Sequence, residues 1–208
     1  MTRSSAPAAR RAVAVESFQT AAECIGPVTP GMSLFAITRG QFSMLDAVLH
    51  VLDCVGPSRL TIWTWTIAGY EIEVFSALMR DKRLTDGLLV IDHAGRTKNA
   101  SLLADWSGVF GPGSIKYVVN HAKIATVEGN GLRVLLRGSM NLNFNPRFEQ
   151  LDVTEGGPDF DLVSKIEDEI PLVAAPVTGR AVYAASRVGE AFDSQTLAMF
   201  SGVKTWAK

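Results

Sequence analysis

The stretch HAKIATVEGNGLRVLLRGSMNLN, residues 121–143, decides the fold of this chain. Apolar, β-forming residues run up to and away from Gly129-Asn130-Gly131, a turn sequence rich in residues that accept positive φ. The segments 115–129 and 131–141 are therefore predicted to be two antiparallel strands of a hairpin. With the reversal near Asn130, facing residue numbers sum to about 259 to 261, which sets His121 opposite residues 138–140.

Polar side chains gather at the open end of this hairpin. Side chains two apart on a strand share a face, so His121 and Lys123 are predicted to project together, with Ser139 and Asn141 as cross-strand neighbours. The imidazole supplies a nucleophile or base, the ammonium a fixed cation, and the hydroxyl and amide hydrogen-bond donors, while Gly138 leaves room for an approaching group. This set suits a phosphodiester attacked in line, and it supplies donors without supplying metal ligands.

Outside the hairpin, strand-like and helix-like segments alternate. Short β-forming runs predict strands, and apolar residues at helical spacing predict helices. The predicted strands are 34–39, 59–65, 87–93 and 148–156. The predicted helices are 42–56, 71–84, 98–108 and 158–170, the last with Asp159 as its N-cap, followed by a mostly helical C-terminal segment. This alternation predicts an α/β fold with a mixed, mostly parallel sheet flanked by helices.

Length and composition predict one soluble domain. The 208 residues, 47% of them apolar, suffice for one core; residues 1–15 are predicted to be a flexible arm and residues 16–208 a single domain. The formal net charge of -1 excludes a global positive field, so any site for a polyanion must be local. No apolar run reaches the length of a signal peptide or a membrane span, which favours a cytoplasmic protein without membrane insertion.

The spacing of the hairpin residues resembles a known family signature. His121-Ala122-Lys123, the run on to Glu128, and then Gly138-Ser139-Met140-Asn141 are similar to the HxKxxxxD and GSxN motifs of the phospholipase D superfamily. The motif covers roughly residues 115–155, and the preceding β/α alternation is similar to that family's fold. The resemblance implies a phospholipase D-like half-site, catalysis without metal or other cofactor, and action on phosphodiesters.

The family mechanism uses two facing copies of the motif. The resemblance implies that one histidine attacks phosphorus to give a phosphohistidine, while the other protonates the leaving oxygen and later activates water. Lys123, Ser139 and Asn141 would hold the phosphate, and Glu149 would orient the catalytic His121. Because the chain has one copy of the motif, the resemblance also implies a homodimer with the site on its two-fold interface.

One position departs from the family pattern. Glu128 stands where the motif has Asp, which keeps the charge and adds a methylene at the edge of the turn. The role implied for this acid is support of the turn, together with Gly138 at the other end of the motif. We therefore expect activity to survive, with loss of catalysis and retained binding as the alternative.

Further candidates follow the other strands. Arg96 and Lys98 come after a predicted strand end, where open α/β sheets bind ligands, and are candidate substrate-binding residues. Ordinary solvated loop charges are an equally good interpretation of each. Trp65 would matter to a nuclease if exposed, because bases stack on aromatic rings, although packing in the core is the commoner role.

Three functions remain open from the sequence. The leading prediction is a nuclease acting on DNA or RNA, since short single-motif members of the family resemble nucleases. The first alternative is a phospholipid headgroup hydrolase or transferase, which predicts turnover of lipid vesicles. The second is a catalytically silent nucleic-acid-binding module with the same pocket, which predicts salt-dependent binding without product.

Overall fold

The computed structural model describes residues 9–16 and 19–172, and the predicted helical C-terminal segment lies outside them. The strands are β1 (Arg11–Ala14), β2 (Ser33–Thr38), β3 (Ser58–Thr64), β4 (Leu84–Asp92), β5 (Ile115–Val118), β6 (Lys123–Gly129), β7 (Leu132–Gly138) and β8 (Glu149–Glu155). The helices are α1 (Ala21–Ile25), α2 (Met44–Val55), α3 (Gly69–Arg80), α4 (His93–Lys98), α5 (Ala100–Phe110) and α6 (Gly157–Glu169).

The described strands form a single mixed sheet in the order β1-β2-β8-β7-β6-β3-β4-β5. The pairs β1-β2, β3-β4 and β4-β5 are parallel. The pairs that run from β2 through β8, β7 and β6 to β3 are antiparallel. The predicted mixed α/β fold is confirmed, but parallel pairs are in the minority, because the hairpin and β8 lie between the two parallel parts and short turns join antiparallel neighbours.

The hairpin has the predicted turn. β6 and β7 pair from Lys123 opposite Gly138 to Gly129 opposite Leu132, which is the upper value of the predicted register. Asn130 and Gly131 have φ of 47° and 79°, the left-handed conformation that such a two-residue turn requires. The Asn130 amide also donates to the Val55 carbonyl at 2.6 Å, which ties the turn to the end of α2.

The prediction of one strand over residues 115–129 is wrong. Residues 115–118 form β5 and pair with β4, whereas β6 begins at Lys123 and pairs with β3. The chain crosses from one side of β3 and β4 to the other through residues 119–122. His121 therefore lies in this crossing segment and not on a strand.

The last part of the predicted flexible arm, residues 1–15, contains a strand. Arg11–Ala14 form β1, an edge strand parallel to β2. The Arg11 guanidinium donates to the carbonyls of Cys24 and Ile25 at the end of α1. These bonds fix β1 to the helix beside it.

Helices pack on both faces of the sheet. On one face α2, begun by a capping box between Ser43 and Asp46, packs its apolar side against β6 and β7. On the other face α6 buries Glu167, whose carboxylate accepts from Trp63 Nε1 at 2.9 Å and from Thr61 Oγ1 at 3.3 Å. Burial raises the pKa of Glu167, and these hydrogen bonds partly oppose the shift.

The start of α6 corrects a smaller prediction. Its N-cap is Gly156, and Asp159 lies in the first helical turn. The Asp159 carboxylate pairs instead with Arg137 of β7 at 2.7 Å. Arg137 is thus held against α6.

Candidate functional site

The polar side chains singled out in the hairpin lie at one edge of the sheet. There the carboxyl ends of β3, β4, β5 and β7 meet the amino ends of β6 and β8. Lys123 begins β6, Gly138 ends β7 opposite it, and Gly138 also pairs with Leu151 of β8. Three neighbouring strands therefore bring Lys123, Ser139 and Glu149 to the same edge.

His121 and Lys123 are in contact. The ammonium nitrogen of Lys123 lies 3.1 Å from His121 Nδ1, 3.4 Å from Nε2 and 2.8 Å from the His121 carbonyl oxygen. The His121 side chain is exposed, whereas Lys123 is partly buried. Burial lowers the pKa of Lys123, and the Glu149 carboxylate partly opposes this by raising it. The pair offers solvent an imidazole and a cation held side by side.

Asn120 fixes the backbone on both sides of His121, and sequence reasoning missed it. Its buried amide nitrogen lies 3.0 Å from the Thr64 carbonyl oxygen and 3.4 Å from that of Val90, and its side-chain oxygen accepts from Ala122 N at 2.8 Å. The Asn120 backbone N–H donates to Asp92 at 2.8 Å. The crossing segment is therefore tied to the carboxyl ends of β3 and β4, where His121 projects outward. An Asn next to the motif histidine was the available signal.

Ser139 and Glu149 form a second pair. The Ser139 hydroxyl donates to the Glu149 carboxylate, and the Ser139 oxygen accepts from Gln150 N at 3.0 Å. Glu149 was predicted to bond His121, but among the described residues its hydrogen bond goes to Ser139. The Glu149 charge also acts on Lys123, where it opposes the lowering of the Lys123 pKa by burial.

Gly138 is needed for strand packing. A Cβ at this position would lie 2.1 Å from the Gln150 carbonyl oxygen and 3.3 Å from Leu151 Cα. Only a glycine lets β7 approach β8 this closely. The absence of a side chain at Gly138 therefore leaves room for β8. The sequence had predicted that it leaves room for an incoming group.

The segment after β7 is held by the first turn of α2. The Asn141 carbonyl accepts from Met44 N at 3.1 Å, and the Leu142 carbonyl accepts from Leu45 N at 3.4 Å. The Asn141 side chain is partly exposed at the same edge as Ser139. Its backbone is thus fixed, and within the described ranges its side-chain amide has no hydrogen-bond partner.

The other predicted residues lie elsewhere. Glu128 is exposed at the turn end of β6, where it lies opposite Arg59 of β3 on one side and opposite Arg133 of β7 on the other. Arg96 and Lys98 lie on α4, beyond β4; the Arg96 guanidinium is 5.2 Å from the centre of the Tyr117 ring, and Lys98 is exposed. The structure does not place Glu128 with His121, and it places α4 on the β5 side of the site.

His93, at the start of α4, stacks on Tyr117 with ring centroids 6.4 Å apart. Burial lowers the pKa of His93, and the neighbouring Asp92 opposes this shift.

In the part of the chain that the structure describes, no group of three or more His, Cys, Asp and Glu side chains is arranged to hold a metal ion. Within the same residues, no helix is long and apolar enough to cross a membrane.

Comparisons with known proteins give a partial likeness in fold. No family model matches the chain, and no curated protein matches it. Among solved structures, phosphatidylserine synthase from Haemophilus influenzae Rd KW20 is similar, with a TM-score of 0.47 and 14% identity over 74% of this chain and 42% of that one. TrmBL2, an archaeal chromatin protein, has a TM-score of 0.41 and 9% identity over 67% of this chain and 54% of that one. The chain spans about half the length of these proteins, and the likeness concerns their fold alone.

Proposed function

We propose that the chain is a phosphodiesterase of the phospholipase D type that needs no metal ion and cuts nucleic acid as a homodimer. The observation that carries this proposal is the exposed His121 ring with the Lys123 ammonium 3.1 Å from its Nδ1. A hydroxyl and a carboxylate, from Ser139 and Glu149, lie at the same edge. An imidazole beside a fixed cation can attack phosphorus while the cation neutralises the phosphate oxygens.

The contact between Lys123 and His121 suggests how the ring is prepared. When the ammonium donates to Nδ1, that nitrogen is an acceptor, and the proton of the neutral ring lies on Nε2. The ring that acts as general acid must instead carry a proton on both nitrogens, because it is then left as neutral imidazole when it gives one proton to the leaving oxygen, and this neutral ring can later accept a proton from water. A bound phosphate draws Lys123 to its own oxygens and frees Nδ1 to carry the proton, with Glu149 as the candidate acceptor. Nε2 of that ring is then the nucleophile.

The reaction needs two histidines, and a second copy of the chain is the proposed source of the other. Nε2 of one His121 forms a bond to phosphorus while the other His121 gives its proton to the oxygen that leaves. Water, deprotonated by the second ring, then attacks phosphorus and breaks the N–P bond. An isologous dimer brings the same surface of each copy together, and His121 is exposed on the surface where the strands end.

The test is cleavage by the purified protein in EDTA. Labelled plasmid, single-stranded DNA and RNA are incubated with the wild type, with His121→Ala and with His50→Gln. His50 is the matched control because it lies on α2 and bonds the Gly26 carbonyl at 2.7 Å, so glutamine keeps a donor there. We expect products from the wild type and His50→Gln and none from His121→Ala. Full cleavage by His121→Ala would refute the assignment of the nucleophile.

The shared site is tested by mixing subunits. Wild-type and His121→Ala chains are co-expressed in equal amounts with different tags, and mixed dimers are isolated. If each phosphorus needs both rings, the mixed dimer is inactive, and the whole mixture keeps about one quarter of its activity. Retention of about one half would show that each subunit acts alone.

A further inference from the structure

Trp65 is an exposed aromatic residue beside the candidate nucleophile. It follows β3, 48% of its surface is exposed, and its ring centroid lies 6.4 Å from that of His121 with the planes tilted by 48°. Trp63, two residues earlier, has its indole N–H bonded to the buried Glu167. Trp65 has no such partner among the described residues, and a tryptophan half in solvent is a residue that core packing does not account for.

A second aromatic group lies on the other side of the site. Phe144 and Phe148, which are 59% and 71% exposed, belong to the segment between Asn141 and β8. The Arg39 guanidinium lies 5.1 Å from the centre of the Phe148 ring. Pro146 in the same segment packs so closely on Gly40 that a Cβ there would lie 2.5 Å from Pro146 Cα. The aromatic segment is therefore held against the end of β2.

Cations are interleaved with these rings. Lys123 lies between the two aromatic groups, and Arg39 and Arg147 are exposed on the side of Phe148. Unpaired nucleic acid offers what this edge can bind, since its bases stack on aromatic rings while its phosphates meet cations.

We propose that this edge binds single-stranded nucleic acid and that Trp65 stacks on a base next to the phosphate held at His121. The inference rests on the proposed function and narrows it, because a duplex hides the faces of its bases and an unpaired strand presents them. Trp65 is then a substrate-positioning residue. Phe148, with Arg39 beside it, is a second stacking position on the far side of the phosphate.

The test separates base stacking from phosphate binding. Proteins carrying His121→Ala, which cannot cut, are titrated with a labelled single strand, with an abasic strand of the same length, and with a blunt duplex, and fluorescence anisotropy gives each Kd. Trp65→Ala is expected to weaken binding of the base-bearing strand about tenfold and to leave binding of the abasic strand unchanged. Trp65→Phe should retain most of the affinity, and Trp65→Leu should behave like alanine because leucine has no π face.

Leu162→Ala is the control, since Leu162 is a large apolar residue, 57% exposed, on α6 and not on the segments that form the site. It should change no Kd. Equal weakening for the two strands, full affinity in Trp65→Leu, or tighter binding of the duplex would overturn the proposal. A change in the mass of Trp65→Ala by light scattering, without loss of strand binding, would assign the patch to a second copy and also overturn it. If the wild-type protein never cuts nucleic acid but binds single strands through Trp65, this inference stands and the proposed nuclease activity is refuted.

Discussion

The two ends of the β6–β7 hairpin carry the same kinds of residue and use them differently. At the turn end, the Asn130 amide bonds the Val55 carbonyl, and a Cβ on Gly129 would lie 2.5 Å from the Pro57 carbonyl oxygen. At the open end, His121 and the Asn141 side chain face outward from a backbone that other groups hold. A motif read as one unit therefore contains a structural end and an end available for chemistry.

The largest expected difference separates the two charges of the hairpin motif. Lys123→Met removes the cation at the open end and should lower kcat/KM by about 10²–10³-fold, because phosphate charge in the transition state loses its partner. Glu128→Gln removes the charge at the turn end and should leave the rate within about twofold. Steady-state cleavage rates, with melting curves for both variants, measure this. Similar losses in the two variants would abolish the distinction between the ends.

Gly138 at the end of β7 and Gly131 in the turn test the same distinction through stability. Gly138→Ala should cost about 3 kcal/mol of unfolding free energy, because its Cβ would overlap the Gln150 carbonyl and force β7 from β8. Gly131→Ala meets no atom within 4 Å and should cost only about 1–2 kcal/mol, the strain of its positive φ. Urea unfolding of both variants gives the comparison. A milder effect at Gly138 than at Gly131 would mean that β7 and β8 are not in this close contact.

Two asparagines give the next comparison. Asn120→Ala leaves buried carbonyl groups without a donor and should cost about 2 kcal/mol, and it should lower kcat more than it changes KM because the backbone of His121 loses its support. Asn130→Ala loses one bond and a favourable turn residue, about 1 kcal/mol, with kcat unchanged. Denaturation and steady-state kinetics distinguish the two. A larger fall in kcat for Asn130→Ala would contradict the positioning role of Asn120.

The smallest effect concerns pH. In the proposed mechanism Lys123 binds phosphate as an ammonium, which exists below its pKa, so cleavage should fall on the alkaline side. The Glu149 charge raises the pKa of Lys123 against the lowering by burial; Glu149→Gln should therefore move this alkaline fall to lower pH. Glu155→Gln, at the other end of β8 where the carboxylate bonds Gly31 N and Arg133 N, should leave it in place. The logarithm of kcat/KM against pH is the measurement, and a shift to higher pH in Glu149→Gln would contradict the assignment.

Local pattern predicted the elements that local forces determine. The Gly-Asn-Gly turn fixed the hairpin because the left-handed conformation is available to few residues. Ser43 and Asp46 form a capping box at the start of α2, and the apolar spacing that follows predicted its body. His121 and Lys123 are in contact, but the predicted reason, alternation along one strand, is wrong because His121 precedes β6.

Pairing between distant segments did not follow from local pattern. The β-forming run 115–129 looks continuous, and only the position of β4 beside β5, with Asn120 bonding the strand ends, divides it. Likewise the bond from Ser139 to Glu149 depends on β8 lying next to β7. The exposure of Trp65 depends on what covers β3, which residue type cannot reveal.

The place of β8 has a consequence for how the chain reaches its native state. β8 is the last described strand in the sequence and yet lies between β2 and β7, where Ser33 pairs with Thr154. A nascent chain that ends before Glu149 has both β2 and β7 as bare edges, each able to recruit another molecule. Closing the sheet is thus a late event across a long chain separation, which slows folding.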